Sequence, residues 1–388
     1  MTGRGIVGLA LFALMLLVGL STGVSEIFVA AFTAGFLLLL ALASALAGAF
    51  LLRVQPSVPV RSLVRGGELR AETVLSGTFV LPVAVEMTWL SPDGSRRFAA
   101  FLWGKERRRI PCQFPCPHRG LWPTGVVRLR CGDLFGLFSL PVSAKRRPVP
   151  PAQVLVYPEL YGLPGQPPRP FPSMDYSEKN TVISDQGDSF SDTRLYRQGD
   201  PMKRIHWKMS IRTGELYTRQ YEMLLDQVTF LFVDNSRLEG EAPEDALGYA
   251  DMAAECAAAL AYYYLSHGRA VRLICSHGGL DAWSMDGFEE MYTYLAGMEF
   301  DEEQPAEDWI PQALEEARHA CACHLITRRP DPAVLEWMIG VPSPRRPASL
   351  ICTAAGTVPT QAEAVEQGLR ILPISAPRDI LERLGEEA

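Results

Sequence analysis

Between Asp192 and Tyr221 the chain reads DTRLYRQGDPMKRIHWKMSIRTGELYTRQY, which packs Arg194, Tyr196, Arg197, Asp200, Lys203, Arg204, His206, Trp207, Lys208, Arg212 and Arg219 into one short span. A Gly199-Asp200-Pro201 turn breaks it, and a turn from Arg212 to Glu215, with Gly214 inside, closes it. Three chemistries would use such residues. Imidazole titrates near neutrality, so His206 could serve as the base of a hydrolase-type site. Cations interleaved with rings could bind and stack a nucleic acid. Alternatively, Tyr196, Asp200, Arg204, His206, Trp207 and Lys208 form a paired, partly buried network whose exposed remainder docks a partner.

The third reading is favoured. His206 stands between Ile205 and Trp207 with no nucleophile beside it. The chain has no phosphate-cradling glycine loop with its lysine and no Gly-x-Ser-x-Gly elbow. Asp200, Glu215 and Glu222 interrupt the cations, and from Phe171 onward 36 Asp and Glu outnumber 19 Lys and Arg. No enzymatic activity, cofactor or nucleic-acid partner is expected.

Cys112, Cys116 and His118, with Cys131 further on, raise the question of zinc. A tetrahedral site is usually built from two close ligand pairs. The Cys-x3-Cys-x-His spacing, crowded by prolines, supplies one, so structural thiols are the expected reading and no metal site is assigned. Cys321-x-Cys323-His324 opens an apolar strand and reads as core.

The elements that position these residues begin with membrane-like helices. Ile6 to Val24 and Ile27 to Leu52 are apolar and long enough to cross a hydrocarbon core of about 30 Å. Glu26 is the one charge between Arg4 and Arg53. A signal peptide competes for the first stretch, but a lone Arg4, no small-residue cleavage site and the second span at once favour a hairpin over residues 1–53. Arginines flank both outer ends, so the positive-inside rule puts both ends in the cytoplasm of a two-pass protein. From Arg53 to Arg169, 17 Lys and Arg face 7 Asp and Glu, a net of +10 that suits an anionic inner leaflet as well as a plain β surface.

Residues 54–157 read as an all-β sandwich. β-Branched and aromatic runs at Thr78 to Leu90, Arg97 to Trp103 and Val126 to Arg130 are separated by Gly66-Gly67, Pro92-Asp93-Gly94 and Gly132-Asp133. The most patterned piece is Gly132-Asp133-Leu134-Phe135-Gly136-Leu137-Phe138. Pro148 to Pro172, with a strand-like Val154 to Tyr157 inside, reads as proline-rich linker, and 158–191 as the link proper. From 192 to 388 a doubly wound α/β domain is expected. Strands at Val228 to Asp234, Ala270 to Cys275, Cys323 to Thr327, Ser349 to Cys352 and Leu369 to Ile374 alternate with helices at Pro243 to Ser266, Gly287 to Ala296, Pro305 to Arg318, Pro332 to Met338, Gln361 to Gln367 and Asp379 to Leu384.

The run Arg194-x-Tyr196-x-x-Gly199-Asp200, with Arg204-Ile205-His206-Trp207-Lys208 and Arg212-x-Gly214-x-Leu216, resembles the hallmark of a bacterial membrane-protein family, domain of unknown function 58. Two N-terminal helices, a β-sandwich with a Gly-Asp-x-Phe-Gly-Leu-Phe stretch and a C-terminal von Willebrand factor A-like domain are its usual layout. The resemblance implies an assembly accessory in the bacterial plasma membrane, with a MoxR-type AAA+ ATPase and a transglutaminase-like membrane protein as partners. It also directs attention to the loop after the first α/β strand, where related domains hold a divalent cation through Asp-x-Ser-x-Ser. Here the loop is Asp234-Asn235-Ser236-Arg237-Leu238, and the equivalent of a later acidic loop reads Thr327-Arg328-Arg329. A missing hydroxyl and added positive charge oppose metal, leaving a weak ion on Asp234, Ser236 and Thr327 as the alternative to a metal-free loop in which Asp234 pairs with Arg237 or Arg328.

Overall fold

The computed structural model describes residues 2–142, 151–163, 192–195, 210–211, 214–220, 228–238, 240–301, 306–317, 320–328, 332–339, 348–353 and 369–384. The chain divides into two compact units, Met1–Glu159 and Leu160–Ala388.

The first unit opens with α1 (Gly3–Thr22) and α2 (Ser25–Leu51), both long and apolar enough to cross a membrane. Thr2 caps α1 by accepting the Gly5 N–H at 3.2 Å. Gly23, at φ +67, ends it in the left-handed conformation that glycine adopts without strain, its N–H reaching Gly19 O at 2.9 Å. The chain then reverses at once into α2. Small residues bring the pair together: a Cβ on Gly35 would stand 2.7 Å from the Phe12 ring.

The β region is one seven-stranded sheet curled around a single core. Its strands are β1 (Arg53–Ser57), β2 (Ser62–Val64), β3 (Glu68–Ser91), β4 (Gly94–Pro115), β5 (Gly120–Asp133), β6 (Ser139–Pro141) and β7 (Ala152–Tyr157). Buried residues on β3 alternate as Leu69, Ala71, Thr73 and Leu75, then Val83, Val85, Met87 and Trp89, the period of two of a half-buried strand. Trp89 donates its indole N–H to Thr73 Oγ1 at 3.1 Å inside the core. β5 changes partner midway, from β7 over Gly120–Thr124 to β3 beyond Gly125. The expected strands are pieces of longer ones. Gly77 and Gly104 both lie inside continuous strands, Gly104 at φ +69. Pro111 and Pro115 fit in β4 because it pairs with β3 alone and spares its other edge. Val154 to Tyr157, placed by the sequence inside a linker, is a sheet strand that pairs with both β5 and β2.

In the second unit β8 (Asp192–Leu195) pairs antiparallel with β9 (Tyr217–Gln220), Leu195 facing Tyr217. A six-stranded sheet follows, made of β10 (Val228–Val233), β11 (Ala270–Cys275), β12 (Gly278–Ala282), β13 (Ala322–Thr327), β14 (Ala348–Cys352) and β15 (Leu369–Pro373). Its order is β12-β11-β10-β13-β14-β15, parallel except for the hairpin strand β12. The helices are α3 (Pro243–Ser266), α4 (Phe288–Gly297), α5 (Ala306–Glu316) and α6 (Pro332–Ile339), with a last helical stretch over Pro377–Asp379 and Ile380–Leu384. All of β10 is buried because both faces are covered. Trp309 and Ile310 of α5 and Val334 and Met338 of α6 pack on the face of Phe230 and Phe232. On the other face Tyr264 of α3 bonds His324 of β13. The expected helix Gln361 to Gln367 lies outside the described residues.

Candidate functional site

In an open α/β sheet, ligands bind beyond the carboxyl ends of the strands, where the strand order reverses. Here the chain runs outward from β10 to β11 and β12, then returns to the other side of β10 as β13. The switch point therefore lies between the ends of β10 and β13, occupied by Asp234 and by Thr327-Arg328.

The backbone fixes the two ends together, Asp234 N–H donating to Ile326 O at 2.9 Å. Ser236 then folds back: its N–H and hydroxyl both donate to Asp234 Oδ1, at 3.1 and 2.5 Å. The Thr327 hydroxyl donates to Oδ2 at 2.7 Å. Asn235, fully buried, ties the same loop to its neighbours. Its carbonyl accepts the N–H and hydroxyl of Ser276 at 3.2 and 2.8 Å, and its amide reaches Glu299 O at 3.4 Å.

Arg328 fills the space beside this turn. Its guanidinium donates to Ser236 O at 2.8 Å, pairs with Glu241 and lies 3.9 Å from the centre of the Tyr249 ring. The Tyr249 hydroxyl donates to the main-chain oxygen of Asp234. Burial, aided by the negative charge of Asp234, holds the Tyr249 phenol well above its usual range. Asp234 thus bonds hydroxyls and amides, whereas the sequence suggested an arginine. Arg237 is exposed, and Arg328 goes to Glu241. The reason is geometric: a carboxylate held at a strand end by Ser236 and Thr327 has both oxygens engaged already.

These residues do not fit a divalent cation. A hard ion asks for six or more oxygens, while here the two hydroxyls already donate to the Asp234 carboxylate and the Glu241 carboxylate is paired with Arg328. Leu238 takes the place of a further hydroxyl, and a buried guanidinium is bonded to the same loop. Among the described residues, no group of three or more His, Cys, Asp and Glu could hold a metal.

The other sequence candidates separate clearly. Cys112 faces the β core beside Phe114 on alternate residues of β4, with Cys116 two residues on, and Cys131 is buried on β5. Burial pushes the Cys112 thiol up to about 11 and Cys131 to about 12, the behaviour of inert core thiols. His324 is clamped between the Tyr264 hydroxyl at 2.7 Å and the Ser349 hydroxyl at 2.6 Å, and burial lowers it to about 4. Within the signature segment Arg194 lies on β8, paired with Thr218. Gly214 adopts φ +79 and donates its N–H to Ser210 O at 2.9 Å, a turn that favours glycine. Tyr196, Gly199, Asp200, Arg204, His206, Trp207, Lys208 and Arg212 lie outside the described residues. Glu241 and Tyr249, which complete the switch-point cluster, carried no signal in the sequence, because neither belongs to a spaced motif.

Three solved structures share weak likeness with the chain. The CARDB domain of the PF1109 protein from Pyrococcus furiosus is 11% identical, covering 27% of this chain and 91% of its own, at a TM-score of 0.20. A PapD-like domain of human CEP192 is 12% identical, covering 27% of this chain and 83% of its own, at 0.18. A β-glucosidase from Listeria innocua is 13% identical over 27% of this chain and 16% of its own, at 0.16. No curated protein matches the chain. Residues 192–319, from β8 to just beyond α5, match the model of a protein family of unknown function, DUF58.

Proposed function

We propose that the chain is a non-enzymatic, membrane-anchored interaction and assembly module. In this reading α1 and α2 cross a bacterial plasma membrane twice. The β region, its one sheet folded back where β5 changes partner, is a sandwich and the second unit a von Willebrand factor A-like domain, both in the cytoplasm, where they serve a MoxR-type AAA+ ATPase. A transglutaminase-like membrane protein is the second candidate partner. The observation that carries the reading is the state of the switch point. Where such a sheet would take a small ligand or a cation, this one is filled by its own Asp234, Ser236, Thr327, Arg328 and Glu241. A domain with that crevice closed is suited to work through its surface. The strand order, with one antiparallel edge strand, supports the domain assignment, and the family match over 192–319 includes the signature segment, which is proposed as the docking face.

The test is affinity purification of the full-length chain from native membranes, beside Arg204→Ala and Trp207→Ala versions. The ATPase should be recovered with the unaltered chain and be depleted with either variant. Equal recovery with all three would contradict the assignment of the segment. A salt-dependent mobility shift with DNA or RNA would favour the nucleic-acid alternative instead.

A further inference from the structure

The helical hairpin does more than precede the β region. Gly8 faces Leu38, Gly35 faces Phe12 and Gly19 faces Ile27 and Phe28, so the helices run antiparallel in a fixed register. Continued to the start of α1, that register sets Thr2 level with Ser44. Both of these residues grip the β region. The Thr2 hydroxyl contacts Gly136 O and Leu137 O at 2.7 Å each, and the Ser44 hydroxyl donates to Pro82 O at 2.5 Å. Beyond that level α2 continues onto the sheet, where a Cβ on Gly48 would stand 2.5 Å from Val83 Cγ1.

The 20 residues of α1 span the distance from this level to the turn at Gly23. At 1.5 Å per residue that is about 30 Å, the thickness of a bilayer's hydrocarbon core. If the turn lies at one membrane surface, Thr2 and Ser44 lie at the other. Two loops of the β region stand at that same level, and both carry exposed apolar side chains. At the bulge between Phe79 and Val83, Val80 is 90% exposed, and Trp103, 70% exposed, donates its indole N–H to Val80 O at 3.3 Å. In the loop after β5, Leu134 and Phe135 are 51% and 63% exposed. The charge of that loop is withdrawn, since Asp133 is buried and accepts the N–H groups of Phe135 and Phe138 at 2.8 and 2.6 Å.

We propose that these two loops are seated in the membrane boundary. Val80, Leu134 and Phe135 enter the acyl edge, Trp103 occupies the interfacial level that tryptophan favours, and the exposed Lys105 and Arg107 of β4 meet headgroup phosphates. The occupant of this apolar surface is the bilayer that holds the chain's own helices, because Thr2 and Ser44 fix the loops beside the span. The proposal rests on the reading of α1 and α2 as membrane-spanning.

The experiment is site-directed spin labelling of the full chain in nanodiscs of phosphatidylcholine and phosphatidylglycerol. The background carries Cys321→Ser, since the remaining cysteines are buried. Single labels are placed at Val80→Cys and Phe135→Cys. Leu121→Cys, exposed on β5 roughly 40 Å of strand away from Asp133, is the aqueous control, and Phe36→Cys in α2 the lipid control. Labels at 80 and 135 should collide more with lipid-dissolved oxygen than with a water-soluble nickel chelate, and the label at 121 the reverse. If 80 and 135 behave like 121 while 36 reports lipid, the seat is wrong and the spanning hairpin stands. If 36 also reports water, both readings fall.

Discussion

Arg328 is the residue on which the switch point turns. Its guanidinium is buried against Tyr249 and held between Glu241 and Ser236 O. Removing one partner of a buried pair strands the other, at a cost of about 3 kcal/mol or more. Arg328→Ala should therefore lower the unfolding free energy of the detergent-solubilised chain by about that amount in urea, and an unchanged midpoint would contradict the pairing. His324 is a second residue with a measurable signature. Its folded value is about 4 against the usual 6.5, because burial disfavours the imidazolium. The unfolded chain takes up a proton between those two values and the folded chain resists it. The stabilisation is complete above pH 6.5 and is lost as pH falls towards 4, by up to roughly 3 kcal/mol. His324→Gln should flatten that part of the pH profile relative to the unaltered chain; parallel profiles would contradict the buried neutral imidazole.

At the scale of elements, α2 has two jobs along its 27 residues. Its first two-thirds face α1 and present bulky apolar side chains outward. Its last turns pack small residues, Ala41, Ala45 and Gly48, against Phe138, Val83 and Cys131. A methyl group added at Gly48 would meet Val83 and Cys131 at 2.5 and 2.7 Å. Gly48→Ala should destabilise the first unit by about 1–3 kcal/mol, the usual range for overpacking. Protease resistance of the β region is the readout, and Gly3→Ala, which meets nothing, is the control. This docking was not legible in the sequence, because an apolar helix reads alike whether it faces lipid or protein. Elements whose pattern is set by burial on both faces were legible: β10 and α3 lie where the run VTFLFV and the Pro243 start place them. β12 was missed, being a short edge strand of Gly278-Gly279-Leu280-Asp281-Ala282 with no apolar alternation. At the candidate site Asp234, Ser236, Thr327 and Arg328 were visible as a loop pattern. Their partners Glu241 and Tyr249 depend on where the loop and α3 return to the sheet, which spacing does not encode.

For the whole molecule, charge is divided along the chain: net +10 from Arg53 to Arg169, and an excess of acids beyond Phe171. A basic region joined to apolar helices and an acidic α/β unit further along suit a protein held at an anionic membrane while offering its second unit to a partner. In the proposed function the chain acts through this docking and not through chemistry in the sheet crevice. The binding of a purified MoxR-type ATPase to the full-length chain in nanodiscs, by fluorescence anisotropy, tests this. Saturable binding is predicted, weakened at least about tenfold, or roughly 1.4 kcal/mol, by Arg204→Ala or Trp207→Ala. No saturable binding, or equal affinity for all three proteins, would contradict it.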